Sequence, residues 1–174
     1  MTAFFRPVFA LGTTEFRIAL RNRWVTITVA LMALFALVLS AAGSAPTGDV
    51  GVDALSVTVA SLTSLGVYLV PLMALLMSFD AVAGEIERGT LSLTLTYPGS
   101  RTGILMGKFI AHLAVLTIAV GAGYGLAAIT ALATDPEAVT GLPALLRLFW
   151  SSILLGAVFL ALGYALSAIA RRPG

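Results

Sequence analysis

Long uncharged stretches alternate with short polar ones along this chain, and that alternation predicts its elements. Four apolar runs, at residues 24–42, 55–79, 104–133 and 146–170, contain almost no formal charge. At a rise of about 1.5 Å per residue, some 20 residues cross the ~30 Å hydrocarbon core of a bilayer, so each run predicts a membrane-crossing helix. Pro71 lies inside the second run and predicts a kink near residues 67–71, because proline removes a backbone donor and crowds the preceding turn. Turn-forming residues separate the runs at Gly43-Ser44-Ala45-Pro46-Thr47-Gly48-Asp49 and again between Thr134 and Pro143.

Residues 5–23 are mixed rather than apolar. Phe9, Phe16 and Leu20 recur at helical spacing, while Arg17 and Arg21 lie four apart on another face. This pattern predicts an amphipathic helix in the headgroup region, with a frayed basic start that only sets topology as the simpler reading. A cleaved signal peptide fits badly, since the basic region is long and the apolar run after it exceeds a typical h-region.

The second and third runs are separated by the chain's main polar interruption, residues 80–101, which closes at Gly107-Lys108. It carries Asp80, Glu85, Glu87, Arg88, Arg101 and Lys108, six of the charges in a chain with ten basic and eight acidic residues. Charges are too costly in lipid for this segment to stay there, so it reads as a loop in water. Basic residues then set the orientation. Arg6, Arg17, Arg21, Arg23, Arg88, Arg101, Lys108, Arg171 and Arg172 fall on one side, leaving only Arg147 on the other beside Asp49, Asp53, Asp135 and Glu137. The positive-inside rule places both ends of this chain and the 80–101 loop in the cytoplasm, with the protein in a bacterial-type cytoplasmic (inner) membrane.

Composition narrows the function classes. The chain of 174 residues is 59% hydrophobic and 10% charged, against about 25% charged in soluble domains, and its mean hydropathy is +1.04. There is no cysteine, which excludes disulfides, thiolate metal sites and cysteine nucleophiles. No basic stripe with interleaved aromatics suggests nucleic acid. The run Gly103-Ile104-Leu105-Met106-Gly107-Lys108 looks like a phosphate loop but has three residues between its glycines. Phe109 also stands where Ser or Thr should follow the lysine, so Gly107 reads as a packing position and Lys108 as a snorkelling interfacial anchor. His112 is the single histidine and cannot build a two-histidine metal site. Met73 and Met77 could hold Cu(I) through sulfur but read as gap-fillers. Glu85 and Glu87, two apart, point to different helix faces and do not form a catalytic pair. No cofactor, resident metal or enzymatic activity is expected of the chain, and no buried charge is expected within a span.

The interruption reads as a helix continued from the second span, in which Gly84 permits close approach and Glu85 can pair with Arg88. Gly89 stops it, Thr90 can cap a new short element, Pro98 ends that element, and Ser100 can cap the third span. Between them Leu91-Ser92-Leu93-Thr94-Leu95-Thr96 alternates as a strand would, although Leu91 and Leu95 share a helix face. Three leucines and Tyr97 in a loop too short for its own core imply a partner groove or the membrane surface. Within the spans, Gly121 and Gly125 form a GxxxG and Ala157, Ala161 and Ala165 repeat every four positions, both suited to close helix packing in lipid.

Gly84-Glu85-Ile86-Glu87-Arg88-Gly89-Thr90-Leu91, then Tyr97-Pro98-Gly99-Ser100-Arg101, then Gly107-Lys108-Phe109, resembles the signature loop of ABC-2 type permeases, the membrane subunits of ATP-binding-cassette exporters. Phe79-Asp80-Ala81 before it makes the resemblance closest to the NosY-like branch, associated with maturation of the copper enzyme nitrous oxide reductase. The resemblance is dense over residues 79–109 and rests on topology elsewhere. It implies an all-α polytopic membrane protein with an N-terminal interfacial helix, four transmembrane helices and a cytoplasmic coupling helix between the second and third. That helix would dock on a separate ABC ATPase subunit through Leu91, Leu93, Leu95, Tyr97 and Arg101. Asp80, Gly84, Glu85, Glu87, Arg88, Gly89 and Lys108 would form the cytoplasmic signature cluster, and a second permease subunit, the same or homologous, would complete the membrane part. The chain departs from the family pattern at the threonines of 93–96, at Gly99, and in having four spans where the family has six. It is therefore expected to be a fragment, a truncated product or a half completed by another polypeptide. Another class of function fits the same loop: a membrane scaffold or assembly factor that holds a cytoplasmic partner without transport.

Overall fold

A computed structural model of the protein describes residues 54–87, Gly89 and 101–169, with scattered helical positions between 26 and 38. The expected interfacial helix 5–23, most of the first span, and residues 88 and 90–100 lie outside the described residues. Among the described residues the fold is three long helices, α1 (Ala54–Glu87), α2 (Arg101–Thr134) and α3 (Leu142–Ile169), with a 3₁₀ turn at Pro136–Gly141 leading into α3. No strand occurs among these residues, and three stretches are long and apolar enough to cross a membrane: Leu55–Ser78, Thr102–Thr134 and Pro136–Ser167.

Apolar side chains make these segments helical without help from charges, and their hydroxyls are satisfied locally. Ser61 Oγ donates to the Val57 carbonyl at 3.2 Å, Thr63 Oγ1 to Val59 at 2.7 Å, and Thr117 Oγ1 to Leu113 at 2.8 Å. Such bonds to the preceding turn let Ser and Thr sit in lipid without an unsatisfied donor. Helix α1 runs through Pro71 to Glu87 without a break in its assignment.

Residues 134–143, expected as a plain loop, are mostly helical. The Asp135 amide donates to the Ala131 carbonyl at 2.9 Å, closing α2. The Asp135 side chain then accepts from the Glu137 amide at 3.0 Å as the cap of the 3₁₀ turn, and Pro136 follows in the first position, where its missing N–H costs nothing. Asp135 therefore ends one helix and starts the next, and α3 begins at Leu142, earlier than the charge pattern predicts.

The core lies along the common axis. Helix α1 contributes Leu55, Leu62, Leu69, Met73 and Met77, α2 contributes Val115, Leu116, Ala119, Val120 and Ala127, and α3 contributes Leu145 and Leu160. Met73 and Met77 thus lie among aliphatic neighbours. The opposite faces present Tyr68, Leu72, Ile118, Ile129, Trp150, Leu154 and Leu166 outward, as a surface solvated by lipid tails allows and one in water does not.

Glycines close the helices on one another at three levels. A Cβ added to Gly163 of α3 would lie 2.8 Å from Ser78 Cβ of α1, one on Gly156 would lie 2.8 Å from Leu116 of α2, and one on Gly66 would lie 2.7 Å from Tyr124 Oη. These are not the positions chosen from the sequence. Gly121 sits beside the Phe149 ring, 3.4 Å from an added Cβ, while Gly125 has nothing within 4 Å, and Ala161 and Ala165 are exposed. On α2 the buried positions come in pairs every four residues, from Gly107 and Lys108 through Ala111 and His112, Val115 and Leu116, Ala119 and Val120, Gly123 and Tyr124, to Ala127 and Ala128. A four-residue repeat overshoots the helical period of 3.6, so the stripe drifts by about 40° per repeat. The drift lets α2 meet both of its neighbours along its length.

Candidate functional site at the base of a two-helix stalk

Helices α1 and α2 each have 34 residues, so each is about 51 Å long and outreaches the ~30 Å hydrocarbon core. Their charges are placed symmetrically. Residues 54–79 of α1 and 109–134 of α2 are uncharged, and the eight residues left on each, 80–87 and 101–108, hold five of the six charges of the interruption, Arg88 following α1 in sequence. Those eight-residue ends, each about 12 Å long, make up the charge-bearing stalk of the two helices; on α1 it lies past the apolar stretch Leu55–Ser78, whereas on α2 the apolar stretch already begins at Thr102. Asp80 marks its base on α1 and Lys108 its base on α2.

Of the predicted site residues, Asp80, Gly84, Glu85 and Glu87 lie on the last turns of α1 and Arg101 opens α2. Gly89 takes φ 67°, the left-handed value with which a glycine just past a helix end turns the chain away. Leu91, Leu93, Leu95, Tyr97 and Arg88 fall outside the described residues. The stalk is therefore described and its tip is not.

Inside the base lies a buried polar cluster. Lys108 is 4% exposed, His112 8% and Tyr164 5%. Lys108 and His112, four residues apart, share a face of α2 on its buried stripe. His112 Nδ1 and Tyr164 Oη are hydrogen-bonded at 2.5 Å, linking α2 to α3, and the Phe109 ring lies 6.2 Å from the Tyr164 ring, centroid to centroid. Ser78 Oγ donates to the Leu75 carbonyl at 3.0 Å and faces Gly163, the residue before Tyr164. Lys108 and Ser167 are each engaged in an interaction of their own, as burial of an ammonium and a hydroxyl requires.

A second polar node lies deeper. Tyr124 Oη and Ser152 Oγ share a hydrogen bond at 2.9 Å between α2 and α3, and the absence of a side chain at Gly66 of α1 makes room for the phenol. Lys108, read from the sequence as a snorkelling interfacial anchor, is buried, and the neutral Tyr124–Ser152 pair is a polar contact that the sequence reading did not single out. Lys108 lies beside the four-residue register Gly103, Gly107, Ala111, Ala119, Gly123, Ala127 and Ala131, at the start of the parallel buried register His112, Leu116, Val120, Tyr124 and Ala128. That register of small residues was the signal available in the sequence. No cluster of three or more metal-ligating side chains occurs among the described residues.

Residues 9–173 match the family described as ABC-2 family transporter protein. The chain is 47% identical over 163 residues to a protein of Pseudomonas aeruginosa named "Probable ABC transporter permease protein NosY". It is 44% identical over 167 residues to a protein of the same name from Stutzerimonas stutzeri. Each alignment covers 92% of this chain and 59% of the relative, so the chain spans about three fifths of the length of the curated relatives it matches.

Proposed function

The chain belongs to the ABC-2 family of transporter proteins, and on that premise we propose that it is part of an exporter's membrane-spanning permease subunit, driven by a separate ATP-binding subunit. The observation that carries the reading is the pair of matched 34-residue helices α1 and α2, whose charge-bearing ends flank the segment that resembles the family signature. In this reading the stalk is cytoplasmic, as the distribution of basic residues favours. The tip docks in the ATPase through Leu91, Leu93, Leu95, Tyr97 and Arg101, and residues 91–97 form the coupling helix.

Coupling is mechanical. ATP-driven closure of the ATPases displaces the stalk tip, and because the tip ends both α1 and α2, the two helices tilt together against a second permease subunit, a copy of this chain or a homologue. The cycle requires two states in which the tip is held differently, and nucleotide supplies the difference in free energy between them. The resemblance of Phe79-Asp80-Ala81 and the loop after it to the NosY-like branch, a name both relatives carry, is what supports placing this export in the maturation of a copper enzyme.

The test is Leu91→Asp combined with Leu95→Asp in the full-length protein. Two carboxylates on the docking face should abolish co-purification of the ATPase while membrane insertion stays intact. Co-purification at the level of the unaltered protein would refute the docking surface.

A further inference from the structure

The stalk moves α1 and α2 directly, because residues 88–100 join their ends. The chain enters α3 from the opposite end of the bundle at Leu142, so among the described residues α3 meets the stalk helices sideways, through packing. Two successive residues of α3, Gly163 and Tyr164, are placed to make that contact. Gly163 seats against Ser78 of α1 so closely that an added Cβ would lie 2.8 Å from Ser78 Cβ. Tyr164 shares its hydroxyl hydrogen bond with His112 of α2 and stacks at a tilt against Phe109. Ser78 lies two residues inside Asp80 and His112 four inside Lys108, so both grips fall just within the base of the stalk.

Resting on the permease reading above, we propose that Gly163 and Tyr164 form a clasp by which α3 grips both stalk helices at their base and follows them when the tip is displaced. Tyr164 and His112 are its positioning residues. Three features make it a clasp rather than ordinary packing. The His112–Tyr164 bond is directional, and with His112 8% and Tyr164 5% exposed water competes poorly for it. Lys108, one turn from His112 and 4% exposed, opposes rotation of α2, because turning would carry an ammonium from its protein surroundings into lipid. On the α1 side the contact is backbone-close, so α1 cannot slide past Ser78 without meeting α3.

The test uses the full-length permease with its ATPase in lipid nanodiscs. Residues 1–174 hold no cysteine, so once any cysteines in the rest of the permease and in the ATPase are replaced, Thr102→Cys and Leu154→Cys place two spin labels on exposed positions of α2 and α3. Pulsed dipolar spectroscopy then reads the distance between them with and without a trapped nucleotide. With Tyr164 present, the distance distribution should be the same in both states. With Tyr164→Phe, which keeps the ring against Phe109 and removes only the hydroxyl, trapped nucleotide should shift or broaden it. His112→Leu should behave as Tyr164→Phe does, whereas His112→Asn, which keeps an acceptor near the Nδ1 position, should restore the unchanged distribution.

A nucleotide-dependent distance with Tyr164 present would overturn the clasp, as would an unchanged distance in both Tyr164→Phe and His112→Leu. Failure of the ATPase to co-purify overturns the permease reading, and the clasp's coupling role with it. That outcome is seen before any label is read, so the two failures are distinguishable.

Discussion

Substituting Gly163 by alanine separates packing from helix propensity when compared with the same change at Gly125. An added Cβ at Gly163 would overlap Ser78 Oγ, lie 2.8 Å from Ser78 Cβ and lie 3.4 Å from Leu75 Cδ2. Ser78 Oγ can rotate away by giving up its bond to the Leu75 carbonyl, but Ser78 Cβ is fixed to the backbone of α1. Helices α1 and α3 must then part by several tenths of an ångström, and overpacking of this kind costs about 1–3 kcal/mol. At Gly125 the added methyl meets nothing within 4 Å. There the change should only gain helix propensity, about 1 kcal/mol. Both variants carry the same propensity gain, so the difference between them isolates the seam: Gly163→Ala should be less stable than Gly125→Ala by about 1–3 kcal/mol. Equilibrium unfolding of the monomer in mixed SDS micelles, followed by tryptophan fluorescence, measures it. Equal stability of the two variants, or a more stable Gly163→Ala, would refute the close α1–α3 crossing.

Other outcomes follow from the same contacts. Gly66→Ala should destabilise, because its methyl would lie 2.7 Å from Tyr124 Oη. Adding Tyr124→Phe should recover part of the loss, by removing the oxygen that the methyl meets. The Tyr124–Ser152 bond, measured by a double-mutant cycle of Tyr124→Phe and Ser152→Ala, should give a coupling of about 0.6 kcal/mol, the average for such bonds in lipid. A coupling of zero would remove it as a link between α2 and α3. Gly89→Ala has open space around it but φ 67°, so it should cost about 1–2 kcal/mol through backbone strain alone. Hydrogen exchange of the last turn of α1 should speed up accordingly, and unchanged exchange would contradict the left-handed turn.

What the sequence made legible was the succession of apolar runs, the polar interruption, the glycine that ends α1, and the family signature. Charge, hydropathy, backbone freedom at glycine and a residue motif carry these, since each depends on residue type and not on which way a helix faces. The interior of the bundle was less legible because it depends on which face of each helix turns inward. Lys108 begins an apolar run, and at a span end a lysine reads as an interfacial anchor. Its burial follows only when its register with His112, Leu116 and Val120 is seen to be a buried one. Gly121 and Gly125 match a packing motif, yet the glycines on the buried stripe of α2 are Gly103, Gly107 and Gly123. The connection at residues 134–143 looked like a loop because its composition is that of a turn. The same Asp-Pro pair also starts a helix once the aspartate can cap it.

The central claim is that the tip of the stalk docks in a subunit that binds ATP. A photo-crosslinking amino acid at Leu95 of the full-length protein, irradiated in native membranes, tests it most directly, with Leu154 on the outward face of α3 as control. The account predicts that Leu95, and not Leu154, becomes linked to a protein that takes up an azido-ATP label and hydrolyses ATP when isolated with this chain. Crosslinking of Leu95 to lipid alone, or to a protein with no affinity for ATP, would contradict it.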